Sequence, residues 1–333
     1  MTILFFETKS DEQPVFETGM QPALVTCTTK NLDLETVGLA ADAEIVSVFV
    51  NSTVTREVLE KLPKLKYIAT RSTGFDHIDC AAAKERGIQV ANVPAYGSRT
   101  VAEFAFGLIL NLSRKIFPAR LQLLESHNFN ISALQGFNLQ GKTLGVVGTG
   151  RIGKNVIQIA KGFDMKILAY DMMPDANAAV QMGFEYADLP TVLAHADIVT
   201  LHAPYTEKTH HMIHAENIAS MKPGSYIINT SRGELIDSSA LTQALASGHI
   251  AGVGLDVLES EKQLKEEAVL LAHGDTPLDY KILFEDHVLL NDPRSIVTPH
   301  IAFYSKEAVA EIQKTTMENI SAFIHGAPQN IVS

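Results

Sequence analysis

Cysteine is scarce in this chain of 333 residues, with Cys27 and Cys80 the only two. That leaves no disulfide framework to expect and makes a reducing cytoplasm the expected compartment. Long hydrophobic runs are lacking too: the longest apolar stretch, residues 101–112, is broken by Glu103 and Asn111 and is too short to span a bilayer. The opening MTILFFE has neither the basic start nor the extended apolar core of a secretory leader, so none is expected. Positive charge is in deficit, and the formal net charge of −11 argues against a general nucleic-acid or anionic-membrane surface. Internal repeats and low-complexity segments are missing. With 20% charged and 46% hydrophobic residues the composition excludes a disordered chain and allows large cores, and the length suits two domains.

The most specific signal present is a glycine fingerprint. The apolar run Leu144-Gly145-Val146-Val147 reads as a buried strand and leads into Gly148-Thr149-Gly150-Arg151-Ile152-Gly153, after which a helical pattern continues through Ile157 and Ala160. Gly148 allows a tight turn, Gly150 lets a pyrophosphate approach the backbone, and Gly153 lets helix and strand pack closely. The free N–H groups at the helix start face the phosphates. A second apolar run, residues 167–170, ends at Asp171, where a carboxylate can accept hydrogen bonds from adenosine ribose hydroxyls. The same carboxylate repels a 2′-phosphate, and Met172 and Met173 supply no arginine to bind one, so NAD is expected rather than NADP.

Around this fingerprint the chain alternates strands and helices, which implies parallel sheets covered on both faces. Before it, strands are expected at residues 3–6, 23–27, 45–50, 67–70 and 89–93, with helices at 55–62 and 78–86 between them. After it come strands at 198–201, 226–229, 252–255 and 296–298. A helix from about residue 101 carries Val101, Ala105, Leu108 and Leu112 on one stripe, and a last helix runs from about Ser305, a plausible N-cap, to a stop at Gly326. The expected fold class is α/β, with two doubly wound parallel-sheet domains. A Rossmann NAD domain (100–299) is inserted into a flavodoxin-like substrate domain (1–99 plus 300–333). Two connections between the domains would form a hinge that closes a cleft on substrate. The charged stretch 259–294 reads mainly as solvated surface.

A nicotinamide enzyme also needs a substrate anchor, a proton donor and a group that tunes the donor. Three segments near predicted strand ends carry such chemistry: Asn229-Thr230-Ser231-Arg232-Gly233, Asp256-Val257-Leu258-Glu259-Ser260-Glu261, and Thr298-Pro299-His300-Ile301-Ala302-Phe303-Tyr304. Each alone has an ordinary surface reading; together on one dinucleotide domain they provide an anion clamp, an acid and its partner. Earlier in the chain, Arg71-Ser72-Thr73-Gly74-Phe75-Asp76 follows a predicted strand, and its backbone N–H groups can form an anion nest. The histidines His210, His211 and His214 lack a matching carboxylate or cysteine set, so no metal is expected.

These segments resemble the D-2-hydroxyacid dehydrogenases over essentially the whole chain. The resemblance lies in Gly148 to Gly153, Asp171, Ser231-Arg232-Gly233-Glu234-Leu235-Ile236-Asp237, Gly254-Leu255-Asp256-Val257, Thr298-Pro299-His300 and the separation of Arg232 from Glu261. It implies that Arg232 binds the substrate carboxylate and carbonyl, that His300 is the proton donor and that Glu261 is its carboxylate partner. It also implies cofactor contacts from Arg151, Ile152, His202, Ala203, Pro204, Thr209, Thr230, Ser231, Arg232 and Asp256, supports Thr73 and Gly74 as substrate ligands, and suggests a homodimer. Within the family, Asn92-Val93-Pro94-Ala95-Tyr96 and Ala302-Phe303-Tyr304 are similar to the fermentative D-lactate dehydrogenases. Tyr96, Phe303 and Tyr304 would then shape a pocket for a methyl-sized group, with pyruvate reduced to D-lactate. Two alternatives stand: reduction of another 2-keto acid (glyoxylate, hydroxypyruvate or a bulkier one), and an NAD-sensing scaffold like the corepressors that share this fold.

Overall fold

Strand pairing divides the protein into two parallel sheets. The computed structural model describes residues 1–261, 263–264 and 280–332. Strands β1 (Thr2–Phe5), β2 (Leu24–Cys27), β3 (Ile45–Val48), β4 (Tyr67–Thr70) and β5 (Gln89–Ala91) form a five-stranded sheet in the order β2-β1-β3-β4-β5. A seven-stranded sheet has the order β12-β11-β10-β9-β6-β7-β8. It contains β6 (Thr143–Val147), β7 (Lys166–Tyr170), β8 (Glu185–Tyr186), β9 (Ile198–Leu201), β10 (Ser225–Asn229), β11 (Ile250–Leu255) and β12 (Ser295–Val297). The chain separates into two compact units, Met1–Gly97 with Tyr304–Ser333, and Ser98–Phe303.

In the first unit successive residues serve opposite faces, as the pleat requires. On one face Leu4, Val46, Val48, Ile68 and Val90 pack with Val58, Leu59 and Leu62. On the other, Ile3, Phe5, Ile45, Tyr67 and Ala69 pack with Phe16 and Ile320. The second face is closed by helix Lys306–Ile324, whose N-cap Ser305 accepts from the Ala308 N–H at 3.2 Å and whose Phe323 stacks on Tyr67 at 4.3 Å. Gly19 lets the end of the Met317 side chain pack against the backbone at the helix contact, since a Cβ there would displace it.

The second unit is built the same way. Leu144, Val146, Ile198 and Ile228 bury one face against helices Ser98–Arg114 and Arg151–Gly162, while Val147, Val199, Ile227 and Val253 bury the other. Each such aliphatic side chain contributes roughly 1.5–3 kcal/mol on burial. The stripe expected on Ser98–Arg114 is buried at Val101, Ala105, Leu108 and Leu112. The helix sits close to β11 because Gly254 has no side chain; a Cβ there would stand 2.9 Å from the Leu108 Cβ. Strand order reverses between β6 and β9, and in open α/β sheets ligands bind at the carboxyl ends beside such a switch point.

One expectation needs correction. The charged stretch 259–294 is not simply solvated surface: Tyr280–Asn291 is a helix, and its Asp286 is fully buried. A carboxylate survives burial there because Ser260 and Ser238 donate to it. Residues 262 and 265–279 of that stretch lie outside the described residues.

Candidate active site

The turn after β6 has the geometry the fingerprint implies. Gly148 sits at φ +93°, and a Cβ there would come 2.7 Å from the His202 carbonyl oxygen and the Ala203 nitrogen. A Cβ on Gly153 would overlap the Gly148 carbonyl, whereas one on Gly150 would meet nothing within 4 Å. The first two glycine requirements are thus internal packing, and the open side at Gly150 leaves room for a phosphate to reach the backbone. Gly150 caps helix Arg151–Gly162, which puts Arg151 and Ile152 in its first turn.

Asp171 follows β7. Its carboxylate accepts the Thr149 N–H at 2.6 Å, the Thr149 hydroxyl at 2.8 Å and the Met173 N–H at 2.9 Å. Burial pushes this carboxyl up, but the donors at Met173 and Thr149 outweigh it and hold the group below the usual carboxylate range. It is therefore ionised at neutral pH.

At the ends of β9 and β10 two polar atoms are buried without a partner among the described residues, His202 Nδ1 and Thr230 Oγ1. His202 shares its Nε2 with the Thr200 hydroxyl at 2.9 Å, and burial pushes its pKa down to about 3, so the ring is neutral. Orphaned polar atoms in this position fit a ligand rich in hydroxyl, amide and phosphate groups. Ala203 and Pro204 lead into a turn closed by Thr209, whose hydroxyl donates to the Pro204 carbonyl at 2.8 Å and accepts the Thr206 N–H at 2.8 Å. The glycine cradle, the ionised Asp171 and these orphans together fit NAD.

Arg232 is presented by a turn that Asn229 holds. The Asn229 amide donates to the Arg232 carbonyl at 2.8 Å and its oxygen accepts the Ser231 N–H at 3.0 Å, while the Ser231 hydroxyl donates to the Leu201 carbonyl. The Arg232 guanidinium donates to the Ser231 carbonyl at 2.8 Å and has no carboxylate partner among the described residues. Among the described residues its charge is left for an anion.

His300 lies beyond β12 at φ +54°, an uncommon conformation for a non-glycine residue. Its backbone N–H donates to the carbonyls of Asp256 and Thr298, both at 2.9 Å. The buried Asp256 carboxylate fixes the rest of the loop by accepting from the Thr298 hydroxyl (2.5 Å), the Ile301 N–H (3.0 Å) and the Ala302 N–H (2.8 Å). Burial pushes the Asp256 carboxyl up, against these donors. His300 Nδ1 lies 3.0 Å from both oxygens of Glu261, and its Nε2 has no hydrogen-bond partner among the described residues. The strained loop therefore aims one ring nitrogen at a carboxylate and leaves the other for exchange of a proton. The sequence places Asn229 and Thr298 in these segments without assigning either a role; their roles come from contacts at the loops that carry Arg232 and His300.

Six neighbouring parallel strands thus end in site residues: His300 after β12, Asp256 and Glu261 after β11, Arg232 after β10, His202 after β9, Gly148 after β6 and Asp171 after β7.

In the first unit the loop after β4 carries Thr73 and Gly74. The Thr73 hydroxyl donates to the Val93 carbonyl at 2.8 Å, and the Asn92 amide donates to the Thr73 carbonyl at 2.8 Å. The N–H groups of Thr73 and Gly74 have no partner among the described residues. Tyr96 and Phe303 are partly buried, whereas Tyr304 is 54% exposed and its hydroxyl accepts from Lys9 Nζ at 2.7 Å. His211 pairs with Glu259 and stacks on His210, and no group of three or more His, Cys, Asp or Glu among the described residues could hold a metal ion. No helix of the described residues is long and apolar enough to cross a membrane.

Comparison with known proteins agrees with this geometry. Residues 106–302 match the family model for "D-isomer specific 2-hydroxyacid dehydrogenase, NAD binding domain". The chain is 41% identical over 291 residues to D-lactate dehydrogenase of Escherichia coli (strain K12), covering 86% of this chain and 85% of that protein. It is 43% identical over 290 residues to an aromatic 2-oxoacid reductase of Clostridium sporogenes, covering 86% and 84%. Among solved structures, D-lactate dehydrogenase from Aquifex aeolicus complexed with NAD and lactic acid superposes with a TM-score of 0.88 at 35% identity, covering 98% of this chain and 96% of that one. A sheet edge built to cradle NAD, ending in an arginine, a histidine and a glutamate, and a match over nearly the whole chain lead to one conclusion: the protein belongs to the D-isomer specific 2-hydroxyacid dehydrogenase family and is NAD-dependent.

Proposed function

We propose that the protein is a D-lactate dehydrogenase that reduces pyruvate to D-lactate as NADH is oxidised. The observation that carries this reading is the His300 ring, held at Nδ1 by both Glu261 oxygens at 3.0 Å, on the same sheet edge as an Arg232 without a carboxylate partner among the described residues. NADH supplies the hydride that reduces C2 of the keto acid. Arg232 binds the substrate carboxylate and opposes the negative charge that grows on the carbonyl oxygen. His300, protonated, gives a proton from Nε2 to that oxygen, and the Glu261 carboxylate stabilises the imidazolium before transfer. The product gains one hydride at carbon and one proton at oxygen, and solvent reprotonates the imidazole. Thr73 and Gly74 offer backbone N–H groups to the carboxylate, and Tyr96, Phe303 and Tyr304 set the size of the group beside C2. Gly148, Gly150, Arg151, Ile152, Gly153, Asp171, His202, Ala203, Pro204, Thr209, Thr230, Ser231 and Asp256 form the cofactor site. We also infer a homodimer, supported by the exposed apolar run of Ile116, Phe117, Leu124, Phe129 and Ile131, and a cytoplasmic location, supported by the free thiols of Cys27 and Cys80.

A second reading, an aromatic 2-oxoacid reductase, is favoured by the similarity to the Clostridium sporogenes enzyme and by the exposure of Tyr304. NADH oxidation with pyruvate, glyoxylate, hydroxypyruvate and phenylpyruvate, with assay of product chirality, separates the two. Preference for pyruvate with D-lactate as product is expected. Preference for phenylpyruvate overturns the small pocket, and tight NADH binding without turnover of any of them favours an NAD-sensing scaffold.

A further inference from the structure

Helix Tyr280–Asn291 buries an acidic residue on its inner, apolar face. Phe284 and Tyr280 are two-thirds exposed, while Asp286 is fully buried between Leu283 and Leu289 on the inner face. Burial of a carboxylate on an apolar stripe is unfavourable unless its oxygens find donors. The donors here come from the segment after β11. The Ser260 N–H reaches Asp286 Oδ2 at 2.8 Å, the Ser260 hydroxyl reaches the same oxygen, and the Ser238 hydroxyl approaches Oδ1 at 3.4 Å.

Ser260 is flanked by two carboxylates that are also held. Glu259 meets His211 Nε2 at 2.5 Å and accepts the Ser238 N–H at 3.2 Å. Glu261 meets His300. Just before them, a side chain on Gly233 would overlap the Leu258 carbonyl, so this backbone also lies directly against the residue after Arg232. Three consecutive residues are thus clamped by three different partners, and Asp286 holds the middle one. Neither Asp286 nor Ser260 has a part in the proton transfer described above.

We propose that Asp286 is a positioning residue for the reaction: by fixing the backbone and hydroxyl of Ser260 it sets the reach of Glu261 to His300 Nδ1. The proposal rests on the reading of Glu261 as partner of His300. Its physical basis is that a carboxylate–imidazole contact at 3.0 Å is lost with a small displacement of the backbone, and a buried anchor one residue away resists that displacement.

The test is a double-mutant cycle on the full-length protein with pyruvate and NADH, or with the keto acid the substrate panel prefers. In the native background Asp286→Ala is expected to lower kcat about tenfold and to leave NADH affinity within about twofold. Asp286→Asn, which keeps an acceptor for the Ser260 N–H, recovers most of kcat. In a Glu261→Gln background the Asp286→Ala loss shrinks below about twofold, because there is no longer a carboxylate to place. An equal loss in both backgrounds, or a parallel loss of NADH affinity, overturns the proposal and makes Asp286 a general structural residue. If Glu261→Gln alone leaves kcat unchanged, the Glu261 reading fails, and the proposal with it. Should Asp286→Ala not fold, Ser260→Ala carries the same cycle with a smaller expected loss.

Discussion

The two units share a doubly wound parallel design but treat polar groups at their strand ends differently. In the first unit those groups are mostly consumed internally. The Glu7 carboxylate accepts five donors, from Phe49, Asn51 and Ser52, while the buried Arg71 guanidinium donates to the Phe6 and Glu7 carbonyls and the Ser47 hydroxyl. In the second unit the corresponding edge leaves His202 Nδ1, Thr230 Oγ1, the Arg232 guanidinium and His300 Nε2 without such partners among the described residues. Equal architecture therefore does not mean equal chemistry. What separates a structural edge from a reactive one is how many hydrogen-bonding groups the fold leaves unsatisfied, and Thr73 and Gly74 are where the first unit keeps a few of its own.

Three substitutions probe that difference, in order of expected effect. Replacing His300 by Ala removes the free ring nitrogen; kcat for reduction falls about a thousandfold, while NADH titrated by fluorescence binds within about twofold of the native protein. Collapse of NADH binding would instead make His300 a structural residue. Glu7→Ala strands several donors in the first unit; about 2–3 kcal/mol of stability is lost in denaturant or thermal melts, with NADH affinity unchanged. If affinity falls in step with stability, the two edges are not separable and the contrast between them is wrong.

The smallest effect is expected at Asp171. Asp171→Asn lowers the preference for NADH over NADPH about tenfold, measured as the ratio of kcat/KM values, because an uncharged amide no longer repels the 2′-phosphate. An unchanged ratio removes Asp171 from cofactor selection. The sign of its pH effect also follows. The folded-state carboxyl is held below the usual range by Thr149 and Met173 against the push of burial, so the stability it contributes is present above that range and is lost as pH falls through it. The difference in melting temperature between native and Asp171→Asn proteins should therefore narrow on acidification from neutral to about pH 3.

Departures between expected and observed elements have local causes. The strand expected at 45–50 ends at Val48 because the N–H groups of Phe49, Asn51 and Ser52 turn to Glu7 instead of a neighbouring strand. The strand expected at 89–93 ends at Ala91 because Asn92 donates to Asn330 and Val93 to Ser72. Residues 300–303 pack with the second unit because Asp256 gathers their N–H groups. Each is a competition between a sheet ladder and a partner far away in sequence, which periodicity cannot register.

Sequence alone determined the α/β alternation, the glycine turn, the acid at Asp171 and the family to which Arg232, Glu261 and His300 point. These follow from apolar periodicity, from backbone conformations that only glycine tolerates and from motifs a few residues long. Only tertiary structure decided that His202 is a neutral buried ring, that Asn229 and Asp256 hold the loops carrying Arg232 and His300, and that Asp286 lies inward beneath Ser260. The reason is that a buried polar group is stable only where a partner meets it, and that meeting joins residues 26 positions apart, as Ser260 and Asp286 are, through packing that no local pattern encodes.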